Sequence, residues 1–244
     1  MQTHTLAVVM ALLSAIVTRI TGIPGGLGLT LAMLFLITLL YTLAVWFGVE
    51  GISKLATVCA TMFGVLLLYV FIAGGETRYI LETGIQSLGN LAQNFLGLAT
   101  WIDPLRLSGD GTTGFTQTWT IFYWSYWMVW CIATPLFIGT ISQGRTIRST
   151  VLGGYFWGLA GTFASFIILG NFCLAQQMRG TVDVAGRLLE GEEPAVLILE
   201  IFQRLPLQGV GLVLVAVTMV MFYTTVFDAL TLVLSTYSYT LALH

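Results

Sequence analysis

Long stretches without a single charged side chain most restrict how this chain can fold. A helix needs about 20 apolar residues to cross the hydrocarbon core of a bilayer, which is roughly 30 Å thick. Charge-free windows of at least that length lie at 20–49, 55–75, 111–144, 149–178 and 205–227. Charged residues make up only 8% of the 244 residues, against roughly 25% in soluble domains. The sequence therefore predicts an all-α membrane protein that crosses the bilayer several times.

A shorter apolar segment, 5–18, precedes these windows. It corresponds to about 21 Å of helix at 1.5 Å per residue, and it lacks the basic start and small-residue cleavage site of a signal peptide. We interpret it as the second half of a span, so that the sequence predicts six membrane segments in a piece of a longer protein. Within one membrane domain, the predicted parts are 5–75, a connecting region 76–115, and 116–244.

Two stretches between the windows have the period of amphipathic helices. In 78–98, the apolar side chains at helical spacing are Leu81, Ile85, Leu88, Ala92 and Phe95. In 194–205, Pro194 suits the first turn of a helix, and Glu192 and Glu193 complement the positive end of its dipole. Both stretches are predicted to be surface helices that lie along the membrane interface.

Charges in the short loops set the expected orientation. Loop 142–149 contains Arg145 and Arg148 and no acidic residue, which is typical of cytoplasmic loops. Alternation across six segments then places the acid-rich loops 76–115 and 179–204 outside and both ends of this chain in the cytoplasm. We expect a multi-pass protein of the cell (inner) membrane.

The positions of the few cysteines and histidines exclude most kinds of catalytic site. The two histidines are His4 and His244, at the chain ends, and the three cysteines lie far apart in apolar stretches. No histidine is available inside a span to hold haem or zinc. Asp228 alone is a candidate intramembrane acid, so a two-carboxylate protease is excluded. A net charge of −2 offers no basic surface to nucleic acid. The sequence predicts neither enzyme activity, nor a metal site, nor a cofactor.

The densest aromatic cluster occupies 119–130, where seven of twelve residues are aromatic. On a helix, Tyr123, Trp127 and Trp130 share one face, and Tyr126 and Trp130 are neighbours four residues apart. The residues alone allow two interpretations of this cluster. It is either packing within an aromatic belt at headgroup depth, or a box of ring faces that binds a quaternary ammonium cation.

Details of the cluster favour neither interpretation fully. A belt explains outer members such as Trp119, but it does not easily explain a stripe of aromatic residues that continues for two more helical turns.

Thr134-Pro135 follows one turn after the cluster. Because proline removes a backbone donor, this pair predicts either local loss of helix regularity or a simple kink.

The order of these residues resembles a family signature. The run 119–127 resembles the W-T-x-F-Y-W-x-W-W motif of the betaine/carnitine/choline transporter (BCCT) family, and it departs from that motif at Tyr126. The run 141–148 is similar to the family's I-S-R-G-R-T-I/V-R loop, with Gln143 in place of an arginine. Two shorter matches are Asp103-Pro104 and the Ser-Leu-Gly at 87–89.

The resemblance implies a secondary transporter with twelve spans, ten of which form two inverted five-helix (LeuT-type) repeats. This chain would cover about spans five to ten. The implied activity is transport of glycine betaine, carnitine, choline or a similar trimethylammonium compound by alternating access, and family members are often trimers. The rival hypothesis is a non-transporting membrane scaffold or assembly subunit.

The resemblance also assigns roles to individual residues. It implies that Tyr126, Trp127 and Trp130 bind the substrate. Tyr123 and Trp124 are further candidates, for which helix packing is the equal alternative.

An ion site is implied in the last window, and only weakly. Family members coupled to sodium carry a Thr-Ser pair shortly before an aspartate. In this chain Thr224 and Thr225 are the candidate ligands, while Val226, which has no ligand oxygen, stands at the serine position. Sodium coupling is therefore doubtful. Asp228 is interpreted as a helix-end carboxylate near the cytoplasmic interface.

Overall fold

The computed structural model describes residues 2–107 and 114–242, and over these ranges it contains helices and turns but no strand. The predicted all-α class is confirmed. The helices are α1 (Gln2–Thr21), α2 (Leu27–Trp46), α3 (Gly48–Ala73), α4 (Thr77–Ala99), α5 (Ile121–Ile141), α6 (Ile147–Ser165), α7 (Asn171–Met178), α8 (Val184–Leu189), α9 (Pro194–Gln203) and α10 (Gln208–Ala242). Two π-helical turns accompany them, Thr116–Thr120 before α5 and Phe166–Gly170 between α6 and α7.

Four helical segments in the described ranges are long and apolar enough to cross a membrane. They are Leu27–Trp46, Glu50–Ala73, Ile147–Met178 and Gln208–Phe227, and they coincide with four of the predicted spans. The other two predicted segments are also helical, since 5–18 lies within α1 and the aromatic run lies largely within α5. The number of six crossings stays a prediction.

Several helix ends follow from local sequence. α2 begins at Leu27, directly after Pro24-Gly25-Gly26. α9 begins at Pro194, as predicted. α3 begins at Gly48 instead of near 55, because Gly48 adopts φ +64°, which lets the chain turn straight out of α2. An exposed Glu50–Lys54 pair, 2.7 Å apart, then lies in the first turns of α3.

The chain divides into two compact units. The first comprises Met1–Thr83 and Tyr155–Leu232, and the second comprises Gly84–Gly154 and Val233–His244. The first unit contains α1–α3 and α7–α9, and the second contains α5. The division into 5–75, 76–115 and 116–244 made from the sequence stays a prediction.

The first unit has an apolar core that joins its helices. Buried residues of this core are Ile16, Leu66, Val70, Ile80, Phe172, Val182, Ile201, Leu205, Leu212 and Val215. The end of α3 lies so close to α7 that a Cβ on Gly74 would stand 2.8 Å from a Phe172 ring carbon. Glycine at position 74 therefore permits this close approach.

Ion pairs hold together the α8–α9 segment, which we define as residues 179–205. The Arg187 guanidinium binds both carboxylate oxygens of Glu192, at 2.5 and 2.7 Å, and one oxygen of Glu200 at 2.5 Å. These hydrogen bonds hold the pKa values of Glu192 and Glu200 below their ordinary value of 4.5, with Arg204 assisting at Glu200. Asp183 caps α8 by accepting the Gly186 N–H at 3.0 Å, which lowers the pKa of that carboxyl.

The α8–α9 segment is expected to loosen in acid. Since the pKa values of Glu192 and Glu200 are lowered on folding, their stabilisation is complete above about pH 4.5 and is lost as pH falls through the folded values. Amide hydrogen exchange, corrected for the chemical rate, should accelerate within 179–205 at about pH 3.5 relative to pH 7. Exchange in α2, whose buried residues Met33 and Ile37 belong to a different apolar cluster, serves as the control. Equal protection of the segment at both pH values would contradict the prediction.

Candidate aromatic binding site

The aromatic run is carried by α5 and the π-helical turn that leads into it. In that turn the Ile121 N–H reaches back to the Thr116 carbonyl, and regular α-helix follows to Ile141. The expected loss of regularity at Thr134-Pro135 is not found, because α5 continues through Pro135. The Thr134 hydroxyl instead donates to the Trp130 carbonyl at 2.8 Å. The irregular turn of this segment thus lies at the start of the aromatic run and not after it.

Six rings along this segment form a continuous series, which we call the ring ladder. Its members are Trp119, Phe122, Tyr123, Tyr126, Trp127 and Trp130. Centroid distances are 6.2 Å for Trp119–Tyr123, 5.7 Å for Phe122–Tyr123, 5.9 Å for Phe122–Tyr126, 6.1 Å for Tyr126–Trp127 and 6.3 Å for Tyr126–Trp130. These spacings lie within the range of favourable aromatic pairs.

The ladder brings three of the five candidate residues together. Tyr126 contacts both Trp127, at an interplanar angle of 88°, and Trp130, at 48°. Tyr123 connects to them through Phe122. Trp124 takes part in none of the ring contacts found among the described residues, and it is 67% exposed. The structure therefore favours Tyr126, Trp127 and Trp130 as a group and leaves Trp124 apart.

Phe122 is a member of the ring ladder that the sequence did not single out as a candidate. It contacts Tyr123 and Tyr126 and so links the outer and inner parts of the ladder. Its spacing of four residues from Tyr126 was the available signal, since side chains at i and i+4 are neighbours on a helix.

The ladder presents ring faces in an uncharged setting. Trp127 is 64% exposed, whereas Tyr126 and Trp130 are half-buried. No charged side chain occurs anywhere in 111–144. A cation at these rings would therefore meet the negative faces of aromatic quadrupoles and no opposing or competing charge from this segment.

Thr224 and Thr225, the weak candidates for an ion site, lie in the first unit and have different surroundings. Thr224 is fully buried, and its hydroxyl donates to the Val220 carbonyl at 2.8 Å. The Thr225 hydroxyl donates to the Phe222 carbonyl at 2.8 Å. Thr225 also lines an open cleft of about 440 Å³ among α3, α6 and α10, which Thr224 does not line. The two hydroxyls thus do not converge on this cleft.

Acidic and metal-ligating side chains give no further support to the ring ladder or to Thr224 and Thr225 as binding sites in the described residues. The side chain of Asp228 lies outside the described part of the structure. Among the residues that are described, no group of three or more His, Cys, Asp or Glu side chains is placed to hold a metal ion.

Comparison with known proteins agrees with the family resemblance of the aromatic run. The family model described as BCCT, betaine/carnitine/choline family transporter, matches residues 2–242. A carnitine transporter of Acinetobacter baumannii is 29% identical over 78% of this chain and 34% of its own length. The glycine betaine transporter OpuD of Bacillus subtilis is 28% identical over 87% of this chain and 40% of its own length.

A third relative is the osmo-independent choline transporter BetT1 of Acinetobacter baylyi, which is 29% identical over 89% of this chain and 41% of its own length. The chain therefore spans between 34% and 41% of these curated relatives.

Proposed function

The chain belongs to the betaine/carnitine/choline transporter family, and we propose that it takes part in secondary transport of a small quaternary ammonium compound by alternating access. The family and the relatives are transporters and not enzymes, and the chain is a multi-pass membrane protein. Candidate substrates are the compounds named for the relatives: glycine betaine, carnitine and choline.

The ring ladder of α5 is the observation that carries this proposal. A quaternary ammonium group has no N–H and cannot donate an ordinary hydrogen bond. It is attracted instead by ring faces, at about 2 kcal/mol for a well-placed ring that is shielded from water. Tyr126, Trp127 and Trp130 supply three adjacent rings and no charge. In this proposal they form one wall of the site, Tyr123 and Trp124 flank it, and other segments of a longer protein supply the opposite wall.

The proposal extends to orientation and assembly. In this proposal loop 142–149 lies on the cytoplasmic side of the inner membrane, which is supported by Arg145 and Arg148 and the lack of an acid in that loop. Leu81, Ile85 and Leu88, which precede a kink of α4 at Asn94, are exposed, as a helix at the membrane interface requires. By family resemblance the working unit is a homotrimer.

Uptake by cells that express the intact gene tests the function. We expect saturable uptake of radiolabelled glycine betaine, carnitine or choline in a host that lacks its own carriers for them. Tetramethylammonium should compete, whereas 3,3-dimethylbutan-1-ol, the neutral carbon analogue of choline, should not, because ring faces attract the charge and not the shape. A scaffold subunit would show no uptake, and equal competition by the neutral analogue would overturn the proposed aromatic site.

Transport is expected to depend little on sodium. Sodium prefers several hard oxygen ligands, but Val226 supplies none and the described hydroxyls of Thr224 and Thr225 do not line one common cleft. Replacing sodium by potassium at fixed membrane potential should change the uptake rate by less than about twofold. Val226→Ser, which adds a hydroxyl, should increase the dependence. A saturable sodium requirement of the unaltered protein at millimolar concentration would disprove this expectation.

A further inference from the structure

We propose that Gln117 is a positioning residue for the ring ladder. Its side chain fastens the π-helical turn Thr116–Thr120 to the segment 101–107, and the register of this turn sets the direction in which α5 presents its rings. This inference rests on the proposed function, since it concerns how the proposed site is held. It goes beyond that function, because Gln117 has no aromatic ring and precedes every ring of the ladder.

Side-chain contacts join the π-helical turn to the segment 101–107. The Gln117 amide donates from Nε2 to the Ile102 carbonyl at 3.0 Å. Directly before the turn, the Phe115 ring stacks on the Trp101 ring, with centroids 6.4 Å apart and an interplanar angle of 29°. The turn is therefore attached through Gln117 to a residue that lies 15 positions earlier in the chain.

The segment 101–107 is suited to be an anchor. Asp103 and Arg106 adopt φ values of +48° and +55°, a conformation that persists in residues with a Cβ only where neighbours hold it. The Asp103 carbonyl accepts the Arg106 N–H at 3.0 Å, and the Asp103 carboxylate accepts the Leu107 N–H at 3.2 Å. Gly114 approaches this segment so closely that a Cβ there would stand 3.3 Å from the Arg106 Cα.

The register of the turn determines which face of α5 lies toward this anchor. The Ile121 N–H reaches the carbonyl of Thr116, five residues back, where an α-helix would reach four. Each residue of an α-helix turns the chain by about 100°. Conversion of the turn to α-helix would therefore rotate the anchored residues by about 100° relative to the rings. The π-helical form also carries Trp119, whose ring stacks on Tyr123 at 6.2 Å.

Buried polar atoms argue that Gln117 positions the turn and does not simply stabilise it. Thr116 is fully buried, and neither its hydroxyl oxygen nor Gln117 Oε1 has a hydrogen-bond partner in the described structure. A buried acceptor without a partner costs free energy that an apolar side chain would not. A glutamine here thus fixes the turn through one hydrogen bond at a cost in stability. Such π-helical turns are frequent at functional sites.

The test is Gln117→Leu, which keeps a similar size and removes the donor, in the protein that the intact gene encodes. The dissociation constant for tetramethylammonium should rise about tenfold, the loss expected when one ring face turns away from the cation. This constant counts only folded protein, so a purely structural role of Gln117 would leave it unchanged. Gln143→Leu, which removes an exposed glutamine beyond the other end of α5, should not change it.

A second readout follows the turn itself. In Thr116→Cys the new thiol takes a fully buried position and should react slowly with N-ethylmaleimide. Adding Gln117→Leu should raise its reactivity at least tenfold, because rotation of the turn carries residue 116 out of its buried place. Peptide mass spectrometry reads the modification at this position alone. Gly114→Ala, whose Cβ would stand 2.7 Å from Gln117 Oε1, should displace the amide and produce both changes if Gln117→Leu does not fold.

The outcomes separate this inference from the proposed function. A weaker affinity with an unreactive thiol at position 116 would show that Gln117 does not act through the turn, and the inference would be wrong. A reactive thiol with unchanged affinity would show that the turn does not direct the rings, which overturns it as well. If the unaltered protein does not bind tetramethylammonium, the proposed function fails, while the thiol reactivity still decides whether Gln117 holds the turn.

Discussion

Replacing Trp127 with leucine should lower the affinity for a quaternary ammonium substrate about 30-fold, because one desolvated ring face contributes about 2 kcal/mol to cation binding. Trp127 is the best placed of the ladder residues for this role. Its ring stands at a right angle to Tyr126 and is 64% exposed in this chain, so a ligand can reach it. In the proposed site the opposite wall shields this ring from water once the substrate is bound. The measurement is equilibrium binding of labelled choline or tetramethylammonium to the purified protein encoded by the intact gene.

Trp119→Leu is the matched control for this substitution. Trp119 belongs to the same ladder, but its described ring contact is to Tyr123 at 6.2 Å, at the far end from Trp130. Its loss should cost less than about threefold in affinity, as expected for a ring of the interfacial belt. Unchanged affinity in Trp127→Leu would show that the ladder packs the helix and does not bind the cation. A larger loss in Trp119→Leu than in Trp127→Leu would show that the cation is not held at Trp127.

The sequence predicted the membrane helices well because their physical requirement is simple. A charge inside hydrocarbon is costly and a span needs about 20 apolar residues, so charge-free windows locate the helices. Helix starts were predicted where a local signal is strong, as at Pro194, the first residue of α9. The start of α3 at Gly48 was missed, because charge counting stops at Lys54 and ignores the positive φ available to glycine.

The ring contacts of the aromatic run were predictable only in part. The spacing predicted Tyr126 and Trp130 as neighbours, and their centroids lie 6.3 Å apart. The same reasoning put Tyr123 on one face with Trp127 and Trp130, whereas in the structure Tyr123 connects to them through Phe122 and Tyr126. Rotamers decide which rings meet, and helical spacing does not specify them. The sequence pattern also could not predict that α5 continues through Pro135, since a proline allows either a kink or an unwound turn.

Contacts distant in sequence were the least predictable part of the fold. Glu76 is buried and pairs with Arg179 at 2.7 Å, although 103 positions separate them. The same turn is held by the Thr77 hydroxyl, which donates to the Phe71 carbonyl at 2.7 Å. These contacts fasten the start of α4 to the first unit. The amphipathic pattern of 78–98 gave no indication of these contacts.

Ile80→Ala is therefore expected to destabilise the protein strongly, although Ile80 lies outside the predicted apolar stripe of its helix. Ile80 is fully buried in the core that contains Val70, Phe172 and Leu212. Truncating such a side chain leaves a cavity, and the free energy of unfolding should fall by about 2–4 kcal/mol. Denaturant unfolding in detergent micelles, followed by tryptophan fluorescence, measures this change.

The same helix provides the control, because Ile85 is the same residue type in the opposite environment. Ile85 is 71% exposed and belongs to the stripe that the sequence assigns to the membrane interface. Ile85→Ala should change the free energy of unfolding in detergent by less than about 0.5 kcal/mol, since the side chain has few protein contacts to lose. If Ile85→Ala proved the more destabilising of the two, the apolar stripe would pack against protein, and α4 would not be a surface helix fastened to the core at Ile80.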